Sequence, residues 1–173
     1  MREVNGHIRN RIFFYPDHTQ YIILTGKALQ HMYAHIQNRF WHKKAGGEIF
    51  VPILNIENPV IEIASGPNPQ DKRSRSLLIP DPEAATTVRH SNYDAGLYPI
   101  GLWHTQPSVN PWFSEKSKHA ARECLASFDG YLDRYILVVL GKGTPEPIIQ
   151  IGVAFAAAEP NWIELIEETR REK

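Results

Sequence analysis

Two strongly apolar runs near the end of the chain, Tyr135–Leu140 and Ile148–Phe155, constrain its folding more than anything else in the sequence. A turn containing Gly141, Gly143 and Pro145 separates them, so the pair reads as two strands of a sheet interior. A third apolar run, Tyr98–His104, leads directly into the polar Thr105-Gln106-Pro107 and is predicted to be a buried strand. Shorter strands are expected at 11–15, 20–24, 48–54, 60–64 and 77–80.

Four segments read as helical. Ala28, Leu29, Met32, Tyr33, Ile36 and Phe40 recur on one helical face, with Thr25 placed to cap the start, which predicts a helix over about 26–40. A short helix is expected over 83–90. Another is expected over 114–128, with Ala120, Ala121, Cys124, Leu125 and Phe128 inward, and the polar tail 161–173 also reads as helical. The Pro-, Gly- and charge-rich stretch 65–76 reads as a loop. Strands interleaved with helices, without regular alternation, predict a mixed α/β (α+β) layer fold. The 173 residues form one expected domain over 1–173, its core spanning about 20–155.

Composition narrows the classes of function. Lys plus Arg and Asp plus Glu are each 19, and this balance argues against a general nucleic-acid binder. The single cysteine, Cys124, excludes an intramolecular disulfide and a cysteine-built zinc site and is expected to be a packed thiol. No apolar run approaches the roughly 20 residues that cross a bilayer, and the N-terminus lacks an apolar signal core. The expected location is cytoplasmic, with no nucleic-acid or membrane partner.

The chemistry concentrates in Gly101-Leu102-Trp103-His104-Thr105-Gln106-Pro107 and the following Ser108 to Ser117. Here the chain resembles the JAB/MPN family in its bacterial JAB form, whose active members are JAMM zinc isopeptidases. The family signature is His-x-His-Pro at a strand end, a Ser with seven residues between it and the second His, an Asp three further on, and an upstream Glu-x-Gly-Gly. His104 takes the first His, Pro107 the Pro and Ser114 the Ser, while Lys44-Ala45-Gly46-Gly47 takes the Glu-x-Gly-Gly position. Trp103 and Thr105 match the family's Trp-His-Thr context. The resemblance spans about 20–155 and implies a curved mixed β-sheet flanked by helices.

In that family the two His and the Asp hold zinc, the Glu moves the proton of a metal-bound water, and the Ser stabilises the developing oxyanion. This chain departs at those positions: Gln106 replaces the second His, Ser117 the Asp and Lys44 the Glu. An amide and a hydroxyl are weak ligands for zinc, and an ammonium repels the ion. The resemblance therefore implies a catalytically degenerate binding or scaffold module with no metal and no cofactor. Its implied partner is a ubiquitin-like protein, a conjugation enzyme or another MPN domain, in a ubiquitin-like or sulfur-carrier pathway.

The enzymatic alternative is a divergent isopeptidase with zinc on altered ligands; His42, His90 and His119 are the possible recruits. Glu48 lies about 13 Å from Lys44 along an extended strand, too far to replace the missing base. Ser114 also suits a helix N-cap. Lys44 is expected either to turn outward or to point inward toward Gln106, Ser117 and His104 as acceptors. Trp103, Trp112 and Phe113 are candidates for an aromatic binding rim, with core packing the competing role. Gly46-Gly47 is expected to serve close backbone packing.

Overall fold

The structure, a computed structural model, describes residues 7–52, 57–156 and 161–168. Its elements in chain order are β1 (Arg11–Phe14), β2 (Tyr21–Leu24), α1 (Gly26–Tyr33), β3 (Gly46–Val51), β4 (Val60–Ile61), β5 (Ile63–Ala64), β6 (Lys72–Arg73) and β7 (Leu78–Ile79). There follow α2 (Pro82–Asp94), β8 (Tyr98–Thr105), α3 (Glu115–Ser127), β9 (Arg134–Leu140), β10 (Ile149–Phe155), β11 (Trp162–Glu164) and β12 (Ile166–Glu167). The fold class is mixed α+β, as expected from the sequence. Among the described residues no helix is long and apolar enough to cross a membrane.

The main sheet has the order β11-β10-β9-β8-β3-β5, and a smaller sheet has the order β12-β1-β2-β4. In the main sheet β8 and β9 are parallel, whereas β3–β8, β3–β5, β9–β10 and β10–β11 are antiparallel. Parallel neighbours need a crossover, and α3 supplies it. The alternation along β9 divides the interior. Ile136, Val138 and Leu140 join the core containing α1 and the smaller sheet, while Tyr135, Leu137 and Val139 join the core beneath α3. Burial on both faces explains why this run is apolar throughout.

Two expected helices are corrected. The first ends at Tyr33, not near residue 40, and Phe40 is exposed. Beyond Tyr33 the backbone turns through His35 N to Met32 O and Ile36 N to Tyr33 O, and Gln37 enters the interior. Its side chain accepts from Thr105 Oγ1 at 2.8 Å and donates to Arg75 O at 2.8 Å. These tertiary bonds displace the last helical turns. Thr25 does cap α1, its side chain accepting from Ala28 N.

The tail is not helical over its described residues. Trp162–Glu164 pairs with β10 and Ile166–Glu167 pairs with β1, so the tail joins an edge of both sheets. Unpaired strand edges recruit backbone partners irrespective of a polar side-chain pattern. Arg11 also holds Glu167 through two bonds of 2.6 and 2.7 Å. Tail positions 169–173, and residues 53 and 54 of the expected 48–54 strand, lie outside the described residues.

Smaller differences concern boundaries. β3 begins at Gly46, α2 runs to Asp94, and the stretch expected to be a loop contributes β6, which pairs with β7.

Candidate functional site

The site lies at the C-terminal end of β8, where the chain leaves the sheet for α3. In sheets with parallel neighbours this crevice is where ligand sites commonly form. β3 runs antiparallel to β8 in a register that sets Gly46 opposite His104 and Glu48 opposite Leu102. Lys44, two residues before Gly46, precedes the start of that strand. A Cβ on Gly46 would collide with the Trp103 carbonyl and one on Gly47 with the Ser65 carbonyl, so both positions require glycine for close backbone approach, as expected.

Four of the five motif positions expected to mark the site converge on one cavity of about 400 Å³. Lys44, His104, Ser114 and Ser117 all line it. Ser114 is the N-cap of α3: its Oγ accepts from Ser117 N at 3.1 Å. The two hydroxyls lie 2.9 Å apart, and Ser117 Oγ lies 3.3 Å from His104 Nε2, forming a short polar chain from the helix start to the strand end. Burial, reinforced by the Lys44 charge, pushes the His104 pKa down to about 3, so the imidazole is neutral at physiological pH.

Lys44 is half-buried in the cavity wall. Burial first, and the neighbouring Lys116 charge second, lower its pKa. Among the described residues its ammonium has no hydrogen-bond or ion-pair partner. The expected acceptors are otherwise engaged: His104 Nε2 and Ser117 face each other. Gln106 clamps the loop after β8, donating through Nε2 to Trp112 O at 2.7 Å and accepting through Oε1 from Trp112 N at 3.0 Å. Gln106 therefore belongs to the support of the site and does not line the cavity.

The aromatic rim is corrected in part. Trp103 is 1% exposed, its Nε1 donates to Ser65 O at 2.8 Å, and its ring packs in the core on the α1 side, so it is a core residue. Phe113 packs edge-on against Trp162, with ring centroids 5.1 Å apart. Trp112, 57% exposed, is the one of the three available to a partner. None of the three histidines considered as recruits lines the cavity. His42 Nδ1 lies 3.1 Å from Ile36 O, and His119 pairs with Glu123 on the exposed face of α3. Glu48 pairs with Arg89 of α2. Cys124 is a partly buried free thiol whose pKa burial pushes up.

Two contributors escaped the sequence. Lys116 lines the cavity from the first turn of α3. A cation there opposes the helix dipole, a local anomaly that was visible in the sequence. The β6–β7 hairpin provides Ser76, Leu77 and Leu78 as a second wall, tied down by Lys44 N donating to Ser74 O at 2.8 Å. Its second strand falls within the expected 77–80 strand, whereas the two-residue first strand, Lys72–Arg73, gave no period to read.

The donor set does not fit zinc. The cavity offers one imidazole, three serine hydroxyls and two lysine ammoniums, and among the described residues no acidic side chain lines it. Zinc sites need several imidazole, thiolate or carboxylate ligands. Among the described residues no group of three or more His, Cys, Asp or Glu is placed to hold a metal ion.

No family model and no curated protein matches the chain. Solved structures do match it. One is the solution structure of protein DSY2949 from Desulfitobacterium hafniense, a structural genomics target, at 17% identity and a TM-score of 0.58, covering 84% of this chain and 88% of that one. A solution structure of a protein from Salinibacter ruber aligns over the same shares at 13% identity and a TM-score of 0.46. The first of these shows a shared mixed α+β fold.

Proposed function

We propose that the chain is a catalytically degenerate JAB/MPN-type domain that acts as a binding or scaffold module, its partner a protein of a ubiquitin-like or sulfur-carrier pathway. The observation that carries this reading is the convergence of Lys44, His104, Ser114 and Ser117, 73 positions apart at the extremes, on one cavity. The family frame requires that convergence, and nothing in the spacing of these residues along the chain guarantees it. The same residues lack the carboxylates and second imidazole that metal-dependent hydrolysis needs.

The test is elemental analysis of the full chain purified without chelator, together with an assay on ubiquitin-like fusions. The expected outcome is no stoichiometric zinc and no cleavage. One equivalent of zinc bound through His104 overturns the reading in favour of a divergent isopeptidase. Restoration probes the scaffold: the folded triple variant Lys44→Glu, Gln106→His, Ser117→Asp is expected to bind one equivalent of zinc. Its failure would mean that the backbone itself has departed from metalloprotease geometry.

A further inference from the structure

We propose that the cavity beside β8 binds an oxyanion, a carboxylate or a phosphate monoester, carried on an apolar stem. The charge balance of the cavity is the starting point. Two lysines, Lys44 and Lys116, line it, and among the described residues no acidic side chain does. The acidic residues nearest in sequence or register point their charge elsewhere: Glu115 lies 3.5 Å from Lys118, and Glu48 pairs with Arg89. Neither cavity lysine has an ion-pair partner among the described residues.

Both lysines sit where the free protein gains nothing from a positive charge. Lys44 is half-buried, which costs solvation, and it faces a second ammonium. Lys116 stands in the first turn of a 13-residue helix, whose exposed N–H groups already make that end positive. An anion seated between them relieves both penalties. A cation or neutral polar ligand relieves neither.

The remainder of the lining sets the shape of the ligand. Leu77, Leu78, Pro80, Leu102 and Leu137 form apolar walls, and the void of about 400 Å³ falls within the range of small-molecule sites. A bare inorganic anion would leave those walls wet. The Ser114–Ser117–His104 chain lies beside the lysines: the neutral imidazole, its Nδ1 3.4 Å from the Thr105 carbonyl, accepts at Nε2 from Ser117, and the Ser114 hydroxyl can turn its proton from Ser117 to the ligand. The inference stands on the cavity alone and does not need the domain-family reading.

The experiment is titration of the full wild-type chain with hexanoate, hexyl phosphate and the uncharged hexanamide in a non-coordinating buffer. Calorimetry gives the affinity, and amide chemical shifts of Lys44, Gly47 and Ser117 give the location. At least one anion is expected to bind about tenfold or more tightly than hexanamide, and the tighter anion identifies the head group. Lys44→Met, which keeps the stem and removes the charge, is expected to lose about tenfold in affinity, whereas Lys44→Arg retains it. Lys116→Met, at an exposed position that does not threaten folding, is expected to lose a smaller factor and to flatten the salt dependence. Equal binding of hexanamide and both anions, unchanged affinity in both methionine variants, or no binding of either anion at millimolar concentration would overturn the proposal. Zinc content plays no part in these readouts, so this proposal and the degenerate-domain reading fail separately.

Discussion

The two faces of the main sheet use the same strands for different ends. On one face Ile136, Val138 and Leu140 of β9 and Ile149, Ile151 and Val153 of β10 are sealed by α1 and the smaller sheet. On the other, α3 contributes only two fully buried residues, Ala121 and Leu125. It covers Tyr135, Leu137 and Val139 but leaves a cavity near the end of β8. Alternate residues of one strand therefore serve a dry core and the wall of a partly polar pocket. The difference lies in what packs above each face, since β9 is equally apolar on both.

The largest expected effect contrasts two tryptophans nine residues apart. Trp103 fills the sealed face and Trp112 lies exposed on the loop beside the pocket. Trp103→Ala should cost about 3–5 kcal/mol in denaturant unfolding, through the cavity it leaves and the lost bond to Ser65. Trp112→Ala should cost less than about 1 kcal/mol. Similar losses for the two would erase the distinction between the faces.

An intermediate effect is pH-dependent. The His104 pKa falls from 6.5 to about 3 on folding, because burial disfavours the imidazolium and Lys44 repels it. Above pH 6.5 neither the folded nor the unfolded imidazole is charged, and the full stability is present. As pH falls from 6.5 toward 3, the unfolded chain takes up a proton that the native site declines, so stability drops. Between about pH 6.5 and pH 4.5 the loss should be about 2–3 kcal/mol, measured by urea unfolding at each pH. His104→Gln should flatten this part of the profile; an unchanged slope would place the acid sensitivity elsewhere.

The smallest effect separates a cap from a cavity residue. Ser114→Ala removes the N-cap of α3 and should lower stability by about 1 kcal/mol, read as a small drop in Tm. Loss of that size with the cavity intact would mean that Ser114 chiefly holds the helix, and Ser117 the neighbouring wall.

The apolar strands β8, β9 and β10, the caps Thr25 and Ser114, and the need for glycine at 46 and 47 were legible along the chain, because each depends on local period, hydrogen-bond chemistry or backbone space. The resemblance to the JAB/MPN signature singled out Lys44, His104, Ser114 and Ser117 as one group. Tertiary packing set where α1 stops, since Gln37 exchanges helical turns for bonds to Thr105 and Arg75 from distant parts of the chain. It alone turned the polar tail into strands, because open sheet edges offer backbone partners that no side-chain pattern announces. The fate of Gln106 was decided the same way. An amide at that position could have faced the pocket or the loop, and the backbone of Trp112, presenting a donor and an acceptor together, satisfies both ends of it at once.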